Sequence, residues 1–171
     1  GEKNTTTTDT TTTKTYGIDL VKTDRQNTLL NGAKFKIYDA ATGGNKIEVI
    51  PVYSGSEIAY YRPKVEGDSG TAYNIVVKNG KVRVQGFDNG TYYLEEVVTP
   101  DGYNQLAARQ KFIIADGNLD ATFNDDVYST GSGVHVVNKS GTMLPETGGM
   151  GTMLFIGCGM TIVLAAGVLL V

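Results

Sequence analysis

The chain is poor in the residues from which most active sites are built. Its one cysteine, Cys158, lies in an uncharged C-terminal run, so the remainder can hold no disulfide. Its one histidine, His135, has no cysteine or second histidine beside it and reads as a surface residue rather than a ligand. No Ser-His-Asp, Cys-His or metal-binding set is visible, which argues against a hydrolase. Fifteen Lys and Arg are scattered against eighteen Asp and Glu, and no basic stripe appears, so a nucleic-acid partner is excluded. Helical periodicity is absent before Met150. From Thr147 to Val171 there is no Asp, Glu, Lys, Arg or His at all.

That last absence is informative. A bilayer core about 30 Å thick needs about 20 apolar residues in a helix. The run from Gly149 to Val171 supplies them and has no polar face, unlike a buried core helix. A transmembrane helix over residues 150–171 is expected. Immediately before it stands Leu144-Pro145-Glu146-Thr147-Gly148. Pro145 fixes φ and Gly148 removes side-chain bulk, so this segment can lie extended in a cleft.

What remains is about 125 residues, the size of one domain. Residues Thr5 to Thr13 are all threonine except Asp9. Such a run buries little apolar area, and residues 1–15 read as a linker, which the sequence alone cannot show to be glycosylated. From Tyr16 the pattern is β. Ile18, Leu20 and Lys22 share one strand face, with Asp19, Val21 and Thr23 on the other. Asn31-Gly32 reads as a turn, Phe35 to Tyr38 alternates, and Ile47 to Tyr53 is a third run. Residues 54–70, with three Gly and Pro63, read as loop with room for a short strand. Tyr73 to Lys78, Asn79-Gly80 and Lys81 to Gln85 give a hairpin signal, since Asn-Gly suits the two positive φ values of a type I′ turn. Thr91 to Val98, Gln110 to Ala115 and Val134 to Asn138 complete about seven strands, the signature of a β-sandwich over residues 16–141.

Three polar residues sit at apolar parity. Lys22 follows Ile18 and Leu20, Glu96 follows Tyr92 and Leu94, and Asn138 follows Val134 and Val136. Each needs a partner inside a sandwich. They have either a buried ion pair with a hydrogen-bonded amide, or a covalent solution. Burial favours a neutral lysine and a protonated carboxylic acid. The amine of Lys22 would attack the Asn138 side-chain carbonyl, Glu96 would polarise it and carry the proton, and ammonia would leave. Glu95 falls outward with Tyr93 and Val97. Asn124 is a weaker acceptor, because Asp125 and Asp126 beside it suggest a turn. Asp116, Asp120, Asp125 and Asp126 lack the spacing of a calcium loop, so no metal and no cofactor is expected.

Tyr92-x-Leu94-x-Glu96-x-x-Thr99-Pro100-x-Gly102-Tyr103 resembles the E-box of the collagen-adhesin B-type (CnaB-like, SpaA-type pilin) domain, which more often has Ala where Thr99 stands. Val82-x-Val84, Gly86-Phe87 and Gly90-x-Tyr92 resemble the approach to that box. Ile18-x-Leu20-x-Lys22 is similar to the family's first strand, and Val136-Val137-Asn138-Lys139 to its last. The resemblance implies an immunoglobulin-like sandwich of prealbumin type, with first and last strands side by side, followed here by the transmembrane helix. It also implies a Lys22–Asn138 isopeptide bond with Glu96 as the catalytic acid. Residues 142–149 resemble the cell-wall sorting signal of Gram-positive surface proteins. By that resemblance a sortase recognises Leu144, Pro145, Glu146, Thr147 and Gly148 and cuts between Thr147 and Gly148. Thr147 then passes to a peptidoglycan precursor or another pilin subunit, and the membrane holds the chain until cleavage. The family's signal normally ends in several Lys or Arg; here Val171 follows the apolar run directly. Pro63-Lys64 is only faintly similar to the pilin motif whose lysine accepts a sortase-delivered threonine.

The expected protein is the C-terminal part of a longer secreted chain. It would serve as a wall-anchored stalk or pilin module at the cell surface and not as a turnover enzyme. The alternative is an adhesin module whose loops or tyrosine-rich faces bind a host matrix or glycan ligand.

Overall fold

The structure is a computed structural model and describes residues 14–141. The threonine run, the Leu144–Gly148 motif and the expected span over 150–171 lie outside the described residues. Among the described residues no helix is long and apolar enough to cross a membrane.

Twelve strands are present among the described residues: β1 (Tyr16–Asp24), β2 (Lys34–Tyr38), β3 (Lys46–Ile47), β4 (Val49–Ser54), β5 (Glu57–Pro63), β6 (Ile75–Val76), β7 (Lys81–Phe87), β8 (Gly90–Val98), β9 (Gln110–Ala115), β10 (Asn118–Asp120), β11 (Val127–Thr130) and β12 (Gly133–Asn138). One sheet has the order β11-β12-β1-β7-β5-β4. The other runs β10-β9-β8-β2-β3, with β6 also paired to β2. The first and last strands lie side by side and parallel, as the sequence resemblance implied: Lys22 pairs with Val136 and Asp24 with Asn138.

Alternation builds the core. Ile18 and Leu20 of β1, Phe35 and Ile37 of β2, Leu94 of β8, Phe112 and Ile114 of β9, and Val134 and Val136 of β12 all point inward and form one cluster. Period-two side chains from two facing sheets interdigitate there, and this burial is the main force holding the sandwich together. Tyr92 bridges Phe87 edge-on and Phe112 in a stack, both at 5.3 Å between ring centres.

Several sequence expectations are corrected. Residues 54–70 are turn or loop apart from Ser54 at the end of β4 and the seven residues of β5, a longer strand than expected. Its exposed first three residues mask the alternation, and only Tyr61 is buried. The run Ile47 to Tyr53 is broken at Glu48, and β3 and β4 belong to different sheets. The Asn79-Gly80 turn forms as expected, with φ of 53° and 75°. It closes on the single Lys78–Lys81 bridge, because β6 pairs with β2 whereas β7 pairs with β1. The turn is therefore a corner between sheets, not a hairpin. Strands β10 and β11 were not anticipated. On β1 the outward parity of Val21 and Thr23 does not bring exposure; both are buried, as is Asp24. Here the chain curls back over the strand end: Leu29 bridges Thr23, the Leu30 N–H donates to the Lys22 carbonyl, and the Asp24 N–H donates to the Thr28 carbonyl.

Candidate functional site

β1, β8 and β12 each deliver one polar side chain into the apolar interior. Lys22 and Asn138 are 0% exposed and Glu96 is 2% exposed. The parity argument placed all three correctly.

The contacts are specific. The Lys22 Nζ donates to the carbonyls of Thr23 at 3.1 Å and Val136 at 3.0 Å. Among the described residues Lys22 forms no ion pair. Burial lowers its pKa from 10.5 to about 8, against the opposing pull of Glu96, Asp24 and Asp126. Asn138 uses its amide nitrogen fully: Nδ2 donates to Glu96 Oε2 at 2.9 Å and to the Asn104 carbonyl at 2.6 Å. Glu96 Oε2 also accepts from the Leu106 N–H at 3.0 Å and the Thr99 hydroxyl at 3.2 Å. Asn138 Oδ1 and Glu96 Oε1 are buried without a protein partner. Leaving buried polar atoms unpaired is costly, and in native folds such atoms are concentrated where something other than stability is at stake. The arrangement combines an amine that is easily deprotonated, an amide whose leaving nitrogen is held against a carboxylate, and a carbonyl oxygen still open.

Sequence reasoning missed the groups that complete this cage. Asn104 and Leu106 act through backbone atoms, which no residue pattern reveals. Gln105 Nε2 donates to the Glu96 carbonyl at 2.6 Å, and the Tyr103 hydroxyl donates to Asp24 Oδ2 at 3.2 Å. Tyr103 was noticed only as part of the box that carries the family resemblance.

The other candidates are placed elsewhere. Glu95 pairs with Arg109 at 3.0 Å, and that guanidinium covers the Tyr38 ring. Asn124 closes a turn, accepting from the Asp126 N–H and donating to Gln110. His135 is half-buried, not freely exposed, and stacks on Tyr128 at 4.5 Å; burial, with nearby Lys81, lowers its pKa. Asp116 accepts from Asn89, and Asp126 pairs with Lys139. Among the described residues no group of three His, Cys, Asp or Glu could hold a metal ion.

The SpaA prealbumin-like fold domain family matches residues 16–127. The chain belongs to this family. Solved structures similar to this SpaA domain include the pilus backbone protein of Streptococcus pneumoniae, 21% identical over 74% of this chain and 41% of that one, with a TM-score of 0.51. The minor pilin of Streptococcus agalactiae is 22% identical over 75% of this chain and 46% of that one, also at 0.51. The chain thus spans less than half the length of either. Likeness at this identity establishes the fold. No curated protein matches the chain.

Proposed function

We propose that this SpaA domain is a pilin-type or stalk module of a Gram-positive cell surface, tied internally by an amide between Lys22 and Asn138. The observation that carries the reading is the buried trio itself. Lys22, Asn138 and Glu96 are all buried, Glu96 is near enough to Lys22 to act on its charge, the amine lacks a carboxylate partner, and the amide nitrogen rests on the carboxylate.

The chemistry balances without any added reagent. Neutral Lys22 Nζ bonds to Asn138 Cγ while charge builds on Oδ1. A proton passes from Nζ by way of Glu96 to Nδ2, the Cγ–Nδ2 bond breaks, and ammonia leaves. Glu96 ends as it began. The reaction happens once, on the chain itself, so the module is not a turnover enzyme.

The second half of the proposal concerns attachment. The Leu144–Gly148 motif followed by an uncharged run supports sortase cleavage after Thr147, with transfer to a wall precursor or another pilin subunit. The solved pilins of similar fold support the same setting. An adhesin role is favoured by one feature, a cleft of about 860 Å³ lined by Tyr53, Glu57, Ile58, Lys81, Arg83 and His135.

Intact mass decides the central point. The chain should weigh one ammonia less than its sequence. Glu96→Ala and Lys22→Ala should each match their own calculated mass. A wild-type mass equal to the uncrosslinked sequence overturns the bond.

A further inference from the structure

Between β8 and β9 the chain makes no regular structure, yet Tyr103, Asn104, Gln105 and Leu106 each tie to a strand that carries one of the trio. The Tyr103 hydroxyl reaches Asp24 on β1, the residue whose Cα faces Asn138 across the parallel pair. The Asn104 N–H donates to the Lys139 carbonyl at 2.9 Å, fixing the segment to the end of β12, and its carbonyl takes the Asn138 amide. Gln105 Nε2 and the Leu106 N–H both bond to Glu96, at its carbonyl and its carboxylate. Beside this segment lies an open cleft of about 600 Å³, lined by Glu95, Glu96, Val97, Gln105, Leu106 and Arg109 among others, while Asn138 itself is fully buried.

We infer that Tyr103 to Leu106 form a strap that orients the Asn138 amide and keeps water from it, with Tyr103 and Gln105 as positioning residues for amide formation. This rests on the crosslink reading. The strap's Asn104 carbonyl and the Glu96 carboxylate of β8, itself held by the Leu106 N–H, take the two hydrogens of Nδ2. The amide plane is thereby fixed, and Asn138 Oδ1 is left without a hydrogen-bond partner. A small misplacement of reacting atoms lowers such rates steeply. The strap also settles which nucleophile wins. Water and Lys22 can both attack Asn138 Cγ. Attack by water breaks the same Cγ–Nδ2 bond, releases the same ammonia and leaves Asp at position 138. Only attack by Nζ joins the strands. A strap pinned at four consecutive residues favours the second outcome.

The test follows the full chain made by cell-free synthesis in detergent, quenched in acid at timed intervals and weighed intact. Wild type, Tyr103→Phe, Gln105→Ala and the double variant are compared, with folding checked by near-ultraviolet circular dichroism. Tyr103→Phe keeps the ring and loses only the hydroxyl, so it remains informative where the double variant does not fold. The expected result is ammonia loss slowed about tenfold or more in the double variant and less in each single one, in line with the loss of hydrogen bonds to or beside a charged group. A fraction of each variant should instead carry Asp at 138, seen as a species one oxygen heavier and one NH lighter than the sequence. A purely structural loop moves neither the rate in folded protein nor that partition. Folded variants that crosslink at the wild-type rate, with no acid product, overturn the strap alone. Wild type that never loses ammonia overturns the crosslink and the strap together.

Discussion

Replacing Asn138 by Ala would remove the proposed acceptor carbonyl and leave Lys22 as a free amine inside the sandwich. Two costs follow, and pH separates them. The first is the lost closure of a loop of more than a hundred residues. By the loop-entropy argument this is on the order of 5 kcal/mol, independent of pH. The second is the buried amine. Its pKa is about 8 in the folded chain against an ordinary 10.5. A lowered folded pKa means the unfolded chain binds more protons between those two values, so stability rises with pH across that window. The depression is worth about 3 kcal/mol below pH 8 and less than about 1 kcal/mol at pH 10. Crosslinked wild type has no amine to titrate there, and other groups cancel in the comparison. The gap between wild type and Asn138→Ala should therefore be widest at pH 7 and narrow by about 2.5 kcal/mol at pH 10. Urea unfolding of both proteins at the two pH values, followed by tyrosine fluorescence, measures it. A gap that is the same at both refutes the desolvated amine. A gap below about 2 kcal/mol at pH 10 refutes the loop closure.

Other predictions follow from the same reading. Thr147→Ala should leave the protein in the membrane or the medium; normal amounts of the variant in wall fractions would sink sortase attachment. A chain ending at Gly141 should be monomeric with a β-rich circular dichroism spectrum, and an aggregated or unfolded product would show that residues after 141 are needed for the sandwich.

The parts of the fold that could be read in advance are those where one face of a strand is buried. β9 alternates cleanly, whereas in β1, β8 and β12 the inward positions keep a period of two although some outward neighbours are buried or half-buried as well, and that period exposed Lys22, Glu96 and Asn138 as polar residues at inward positions. β5 was legible only as a short strand within loop, because its side chains from Glu57 to Ala59 are all exposed and no period of two survives. The corner at Asn79-Gly80 was legible as a turn but not as a change of sheet, since turn chemistry is local and the partners of β6 and β7 are not. The strap was invisible for a third reason. Three of its five ties use main-chain atoms of Asn104 and Leu106, and backbone groups carry no sequence signature. Three side chains of the site could be read from parity, whereas the cage around them could not.

The position of the proposed bond matters as much as its existence. β1 and β12 run parallel, so tension entering at the end of β12 and leaving at the start of β1 loads the pair in shear. Their ladder from Asp19–Gly133 to Asp24–Asn138 would bear that load, backed by the pairing of β1 with β7 and of β12 with β11. A bond between Lys22 and Asn138 sits at the end of that ladder nearest the point where β12 is pulled. Force arriving at Asn138 would pass directly to Lys22 and back along β1 to Tyr16. Every residue from Arg25 to Val137, including both sheets' remaining strands and the strap, would lie outside the load path. The sandwich need then only be stable enough to bring the trio together once. That division of labour would account for a core willing to bury an unpaired lysine: its cost would fall on the folding intermediate, and the crosslinked module would no longer contain the amine.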